Sequence, residues 1–162
     1  MTRRSPAELD RLMKMLGTDI RLSYATPSGT WEDADLAAGL TRGRAPRLAD
    51  LKVASELDSA DQLLINRLKT QKGELAPLGH PEYGSRHHEL IGEPNVERTR
   101  NLIKLYVLEA MSHEPRIEKI LSCDVTAPKP PRDIVRIEMV VRLIGEVNPR
   151  NLVVPFSLEV AA

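Results

Sequence analysis

The chain has little of several things that would mark a function early. Its one cysteine, Cys123, excludes a disulfide within the chain, and a lone thiol fits folding in a reducing compartment. Aromatic residues make up 3% of the total, too few for the stacking platforms on which single-stranded nucleic acids lie. Neither sign of charge dominates: 23 basic and 23 acidic residues cancel, so no excess of cations waits to neutralise a phosphate backbone. No apolar run approaches the ~20 residues that a membrane-spanning helix needs. The basic start, Met1 to Pro6, is not followed by an apolar stretch of leader type. These absences lead us to expect synthesis in the cytoplasm, no nucleic-acid partner and no direct membrane insertion.

Catalytic patterns are also scarce. No serine sits in a Gly-x-Ser-x-Gly elbow. Gly79, Gly84 and Gly92 are too widely spaced for a phosphate-binding loop and read better as turn residues needing positive φ. His80, His87, His88 and His113 lack the i, i+4 spacing of helix-borne zinc ligands, and the adjacent pair His87 and His88 points apart on any regular backbone. Glu74, Glu82, Glu89 and Glu93 crowd one Gly/Pro-rich segment. Two carboxylates about 5 to 9.5 Å apart across a cleft would suggest glycoside hydrolysis, but acidic residues in such loops are usually solvated. The expectation is no catalytic residue, no metal and no cofactor.

What is present is an ordinary globular mixture, 41% hydrophobic and 28% charged, sufficient for one modest core in 162 residues. Ser5, Pro6 and Glu8 open a short amphipathic helix whose apolar positions Leu9, Leu12, Met13 and Leu16 end at Gly17. Ile20, Leu22 and Tyr24 alternate with polar residues as a short strand. Trp31 to Asp50 reads as a loop insertion with one helical turn at most. Ser59 to Lys72 is predicted helical, with Leu63, Leu64, Arg67, Leu68 and Gln71 on neighbouring rows and Gly73 as its stop. A second helix is predicted from Pro94 to about His113, burying Ile103, Tyr106, Val107, Ala110 and Met111. Ile117 to Val125 is predicted as a strand. Ile134 to Val147 follows, with Val135, Ile137, Met139, Val141 and Leu143 on one face and Arg136, Glu138 and Arg142 on the other. A polar turn at Asn148 to Asn151 leads to Leu152 to Val160, making an antiparallel hairpin. Helices first and sheet afterwards define an α+β fold: two main helices on a small, mostly antiparallel sheet. The expected organisation is a helical arm at 1–18 and one domain at 19–162, with the loop insertion at 31–50 and the hairpin at 133–160.

Two clusters stand out. One is Thr70 to Leu75 followed by His80 to Gly84. The other is Glu114-Pro115-Arg116, where Pro115 blocks helix continuation and an arginine offers a planar donor fork to a carboxylate or to carbonyls. The bland reading of the second is a helix stop with an internal salt bridge; the sharper one is a docking contact.

Thr70, Gly73 and Glu74 after a helix, then Pro81, Tyr83 and Gly84, then Leu90 to Pro94, a long helix and Glu114-Pro115-Arg116 occur in an order and spacing that carry a family likeness. The chain resembles the baseplate wedge, or sheath-initiator, family of contractile phage tails, type VI secretion baseplates and extracellular contractile injection systems, some of whose members are labelled tail lysozyme. The likeness runs over roughly 17–147 and is strongest over 59–125. It implies a structural, non-enzymatic part that joins the wedge to the first sheath ring, in several copies around the tube. The implied partners are the sheath protein, wedge scaffold proteins and tube or hub proteins. Partner contacts would fall on Gly73, Glu74, Pro81, Tyr83, Gly84, Glu114, Pro115 and Arg116, and sheath contacts on Arg136, Glu138, Arg142, Val153, Pro155 and Ser157. The chain would then reside in the baseplate of a tail or tail-like particle. A lysozyme-like hydrolase and a generic α+β interaction domain are the alternatives.

Overall fold

A computed structural model describes residues 5, 7, 10, 14, 16–24, 35–40, 49–128 and 133–159. Most of the expected N-terminal helix lies outside these residues. Its described positions Ala7, Asp10, Lys14 and Leu16 are helical, and Lys14 pairs with Asp10 one turn away at 2.9 Å. By internal contacts the chain divides into two compact units, Met1–Gln62 and Leu63–Ala162. The division falls at 62/63, within a helix.

The described residues of the first unit include six very short strands: β1 (Thr18–Ile20), β2 (Leu22–Ser23), β3 (Asp35–Leu36), β4 (Ala38–Leu40), β5 (Ala49–Leu51) and β6 (Val53–Ser55). They pair antiparallel as β1 with β6, β2 with β3 and β4 with β5. Each of three chain segments therefore pairs with one neighbour and then, one residue later, with the other. At the changeover, Arg21 N–H donates to Lys52 C=O (2.8 Å), Lys52 N–H to Ala37 C=O (2.8 Å) and Ala37 N–H to Arg21 C=O (2.9 Å). These bonds close a ring in which every changeover residue keeps a partner, as buried or crowded backbone must. The buried Gln62 amide serves the same junction: its oxygen accepts from Leu22 N–H and its nitrogen donates to Ile20 C=O, both at 2.8 Å. The described residues of the stretch 31–50, expected as a loop, are thus strands apart from the changeover residue Ala37. They pair in runs of two or three residues, too short for an alternation to register.

Helix α1 spans Leu57–Lys69, so it starts two residues earlier and ends three residues earlier than the predicted Ser59–Lys72. Asp58 in its first turn and Arg67 and Lys69 in its last turn oppose the helix dipole favourably. Beyond it the Thr70 hydroxyl donates to Asn66 C=O at 2.9 Å. The irregular stretch contains two 3-10 helices, Ala76–Leu78 and Arg86–Leu90. Helix α2 (Glu97–Ser112) buries Thr99, Ile103, Val107, Ala110 and Met111; Tyr106 is half-buried.

The second unit's sheet has three antiparallel strands: β7 (Ile117–Thr126), β8 (Ile134–Leu143) and β9 (Arg150–Ser157), in the order β7-β8-β9. Val135, Ile137, Met139, Val141 and Leu143 of β8 are all fully buried, on the face read from their alternation. Directly opposite them lie Ile117, Ile120, Cys123 and Val125 of β7, and Leu152, Val154 and Phe156 of β9. Against the prediction, β8 stops at Leu143, where Ile144-Gly145 turns the chain and Glu146 N–H donates back to Leu143 C=O. The structure is α+β, with two helices in its described residues of eight or more and antiparallel pairing throughout the named strands.

Candidate functional site

The two sequence clusters meet in the second unit. Gln71 forms a parallel bridge with Ser85: Ser85 N–H donates to Thr70 C=O (2.9 Å) and Lys72 N–H to Ser85 C=O (3.2 Å). Gly84 is buried beside this bridge with φ of +98°. A Cβ there would stand 2.7 Å from the Thr70 and Gln71 carbonyls, so no side chain fits. Lys72 Nζ sits between Glu82 (3.0 Å) and Glu109 (3.3 Å), and these carboxylates raise its pKa. Gly73 also has positive φ; Glu74 is exposed and accepts from Gln71 N–H at 3.2 Å; Pro81 is exposed.

Where α2 ends, the chain turns sharply. Glu114 N–H donates to Met111 C=O and Ile117 N–H to Glu114 C=O, both at 3.1 Å. This turn carries the Glu114 side chain inward. Its side chain keeps 4% exposure, and one carboxylate oxygen accepts from Arg67 Nη2 at 3.1 Å. The other accepts from the backbone N–H of Arg116 at 3.2 Å and lies 3.8 Å from Arg116 Nε. Arg67 in turn lies over the Tyr83 ring, 4.5 Å from its centroid, a cation–π contact. Burial pushes the Tyr83 hydroxyl up; Arg67 and Arg116 oppose that, and Glu114 adds to it. Glu114 was expected among partner contacts. Instead it is an internal counter-ion, because a buried arginine needs a carboxylate beside it. Pro115 is exposed and Arg116 half-buried, so these two remain accessible.

Arg67 is the residue that sequence reasoning did not single out. Its signal was available: a cation sat on the same rows as Leu64 and Leu68, the apolar stripe of α1. A charge at such a place needs a buried partner, but nothing in the sequence says that the partner is 47 residues away.

The second candidate region is the outer face of the sheet. β8 has no bulge, so Ile134, Arg136, Glu138, Val140 and Arg142 share the face opposite its buried residues. Val153 stands opposite Glu138, Pro155 opposite Arg136 and Ser157 opposite Ile134. All six residues expected at a sheath contact therefore lie on one face. Arg136 pairs with Glu138 at 2.6 Å and Arg142 Nε lies 3.3 Å from Glu118.

The remaining candidates are placed less suggestively. His87 is 1% exposed, with Nδ1 2.8 Å from the Ser85 hydroxyl and its ring edge-on to Phe156; His88 Nε2 donates to Leu68 C=O at 2.7 Å. Burial and the neighbouring His88 lower the His87 pKa to about 3. Arg86 clamps Glu89 through two 3.0 Å contacts and holds its carboxyl below the usual range. Burial raises the Cys123 thiol pKa, which lowers its reactivity. Among the described residues, no group of three or more His, Cys, Asp or Glu side chains is placed to hold a metal ion, and no helix is long and apolar enough to cross a membrane.

No family model matches the chain, and no curated protein matches it. Among solved structures, it is similar to the 1.44 Å crystal structure of a "putative tail lysozyme" from Geobacter sulfurreducens, with 27% sequence identity and a TM-score of 0.55. The match covers 63% of this chain and 90% of that one. The likeness therefore takes in nearly the whole of that tail lysozyme chain.

Proposed function

We propose that the chain is a structural part of a contractile tail or tail-like injection particle, joining the baseplate wedge to the first sheath ring and starting sheath assembly. The observation that carries this reading is the open sheet. Among the described residues, only β8 has strand partners on both sides; β7 and β9 each pair on one side alone. Unpaired strand edges recruit an added strand through their free N–H and C=O groups. Beside those edges lies the array of Arg136, Glu138, Arg142, Val153, Pro155 and Ser157, which would fix which strand is accepted. The likeness to a tail-associated structure supports a role in a tail. The exposed Pro115 and the half-buried Arg116 would meet the wedge scaffold.

The hydrolase alternative finds less support. A glycosidase acid needs a raised pKa, whereas Glu89 is held low by Arg86 and Glu82 is ion-paired to Lys72. Purified protein should not clear a suspension of peptidoglycan.

The decisive experiment is deletion of the gene in its own host, followed by electron microscopy of the particles. Baseplates should form without sheath. Complementation with wild type should restore sheath, and Arg136→Glu with Val153→Glu should not, although that variant keeps the native circular dichroism spectrum. Normally sheathed particles in the deletion strain would sink the proposal.

A further inference from the structure

The corner at Glu114 to Arg116 holds one more cation than anion. Arg67 and Arg116 both approach a single carboxylate, Glu114, at 3.1 and 3.8 Å. The charges acting on the nearby Tyr83 hydroxyl are these same three, with no second carboxylate among them. Arg67 is committed inward: its side chain is 10% exposed, donates to Glu114 and covers the Tyr83 ring. Its Nε is buried and finds no hydrogen-bond partner among the described residues. Arg116 differs. Its side chain is 28% exposed, and 3.8 Å from Glu114 is an ion-pair distance but too long for a hydrogen bond. Its guanidinium donors thus have no hydrogen-bonded acceptor among the described residues.

The backbone that bears Arg116 is held on both sides. Its N–H is taken by Glu114 (3.2 Å), and its C=O accepts from Ile144 N–H (2.9 Å). A fixed backbone launches the side chain in a set direction, which lowers the entropy lost when a partner arrives. A backbone carbonyl could accept from this fork but could not balance the extra charge; a carboxylate does both.

Resting on the baseplate reading, we infer that this corner receives an acidic side chain, Asp or Glu, presented by a protein partner. Arg116 is the donor that touches it. Glu114 is a positioning residue that holds the Arg116 backbone in place, and Arg67, packed on the Tyr83 ring, takes up the Glu114 charge so that the corner stays positive.

The test uses the full purified chain and a probe foreign to any tail. A helix-forming peptide bearing Glu on one face is titrated against the isotope-labelled protein at fixed ionic strength, beside the same peptide with Gln at those positions. The Arg116 Nε–Hε and Tyr83 ring signals should shift saturably with the Glu peptide and stay still with the Gln peptide. Arg116→Gln should weaken binding about tenfold or more, the size of one lost charge-assisted contact, while the remaining amide spectrum is unchanged. Arg116→Lys should recover part of the affinity. An equal response to inorganic sulfate would overturn the assignment to a protein carboxylate. Shifts confined to Lys72, Arg86 or Arg136, or full affinity in Arg116→Gln, would overturn the site itself. Failure here leaves sheath loss in the deletion strain untouched, so the two readings fall separately.

Discussion

Glu114 satisfies donors from two directions, the Arg67 guanidinium and the Arg116 backbone, while almost fully out of water. Removing one member of a buried pair leaves the other charge uncompensated, at a cost of about 3 to 5 kcal/mol. Glu114→Gln should therefore lower stability to chemical denaturation by about that amount. Arg116→Ala should leave the fold nearly as stable as wild type, since its side chain is part-exposed and its contact to Glu114 is long. The reverse ranking would make Arg116, not Arg67, the structural partner. His87 gives a pH dependence of definite sign. Its folded pKa of about 3 lies below the unfolded value of about 6.5, so the folded state favours the neutral ring. Stability should be complete above about pH 6.5 and fall as pH drops toward 3, by up to about 1.4 kcal/mol per pH unit from this group. Denaturation at several pH values should show a shallower fall in His87→Leu than in wild type; equal slopes would assign the effect elsewhere.

Among the elements, β9 separates packing from display. Val154 is buried opposite Ile137, while Val153 is half-buried on the outer face opposite Glu138. Val154→Ala should cost about 2 kcal/mol through lost burial and a residual cavity. Val153→Ala should stay within about 0.5 kcal/mol. Equal losses would mean that β9 is enclosed on both sides. The contrast also explains what could be read in advance. β8 was legible because ten unbroken residues alternate, which also put Arg136, Glu138 and Arg142 on the correct face. In β7 the inward residues fall at Ile117, Ile120, Cys123 and Val125, a spacing of three, three and two. Register shifts after Ile117 and after Ile120 produce it, each consistent with one extra residue on this strand. Without the partner strand in view, that spacing hides the alternation. The helices were legible from their apolar rows, with ends displaced by up to three residues. The Arg67–Glu114 pairing was not, because side-chain partners distant in sequence leave no local period.

At the scale of the whole molecule, balanced charge sets the solution behaviour. The net charge is zero and the isoelectric point is about 6.9, so electrostatic repulsion between copies vanishes near neutral pH. Solubility should pass through a minimum close to pH 6.9 and rise on either side; turbidity against pH at constant salt would measure this. A minimum displaced by more than a unit would point to strongly shifted groups outside those identified. The first unit was the least legible part of the molecule, since its strands take meaning only from each other. Its ring of three hydrogen bonds through Arg21, Ala37 and Lys52 has an evolutionary consequence. Each of those residues is the hinge between two ladders, so inserting or deleting one residue beside it throws the ladder on one side out of phase while the other stays put. Length changes should therefore be confined to the connections at 25–34 and 41–48, while the three segments 18–23, 35–40 and 49–55 keep a fixed count however far their side chains drift.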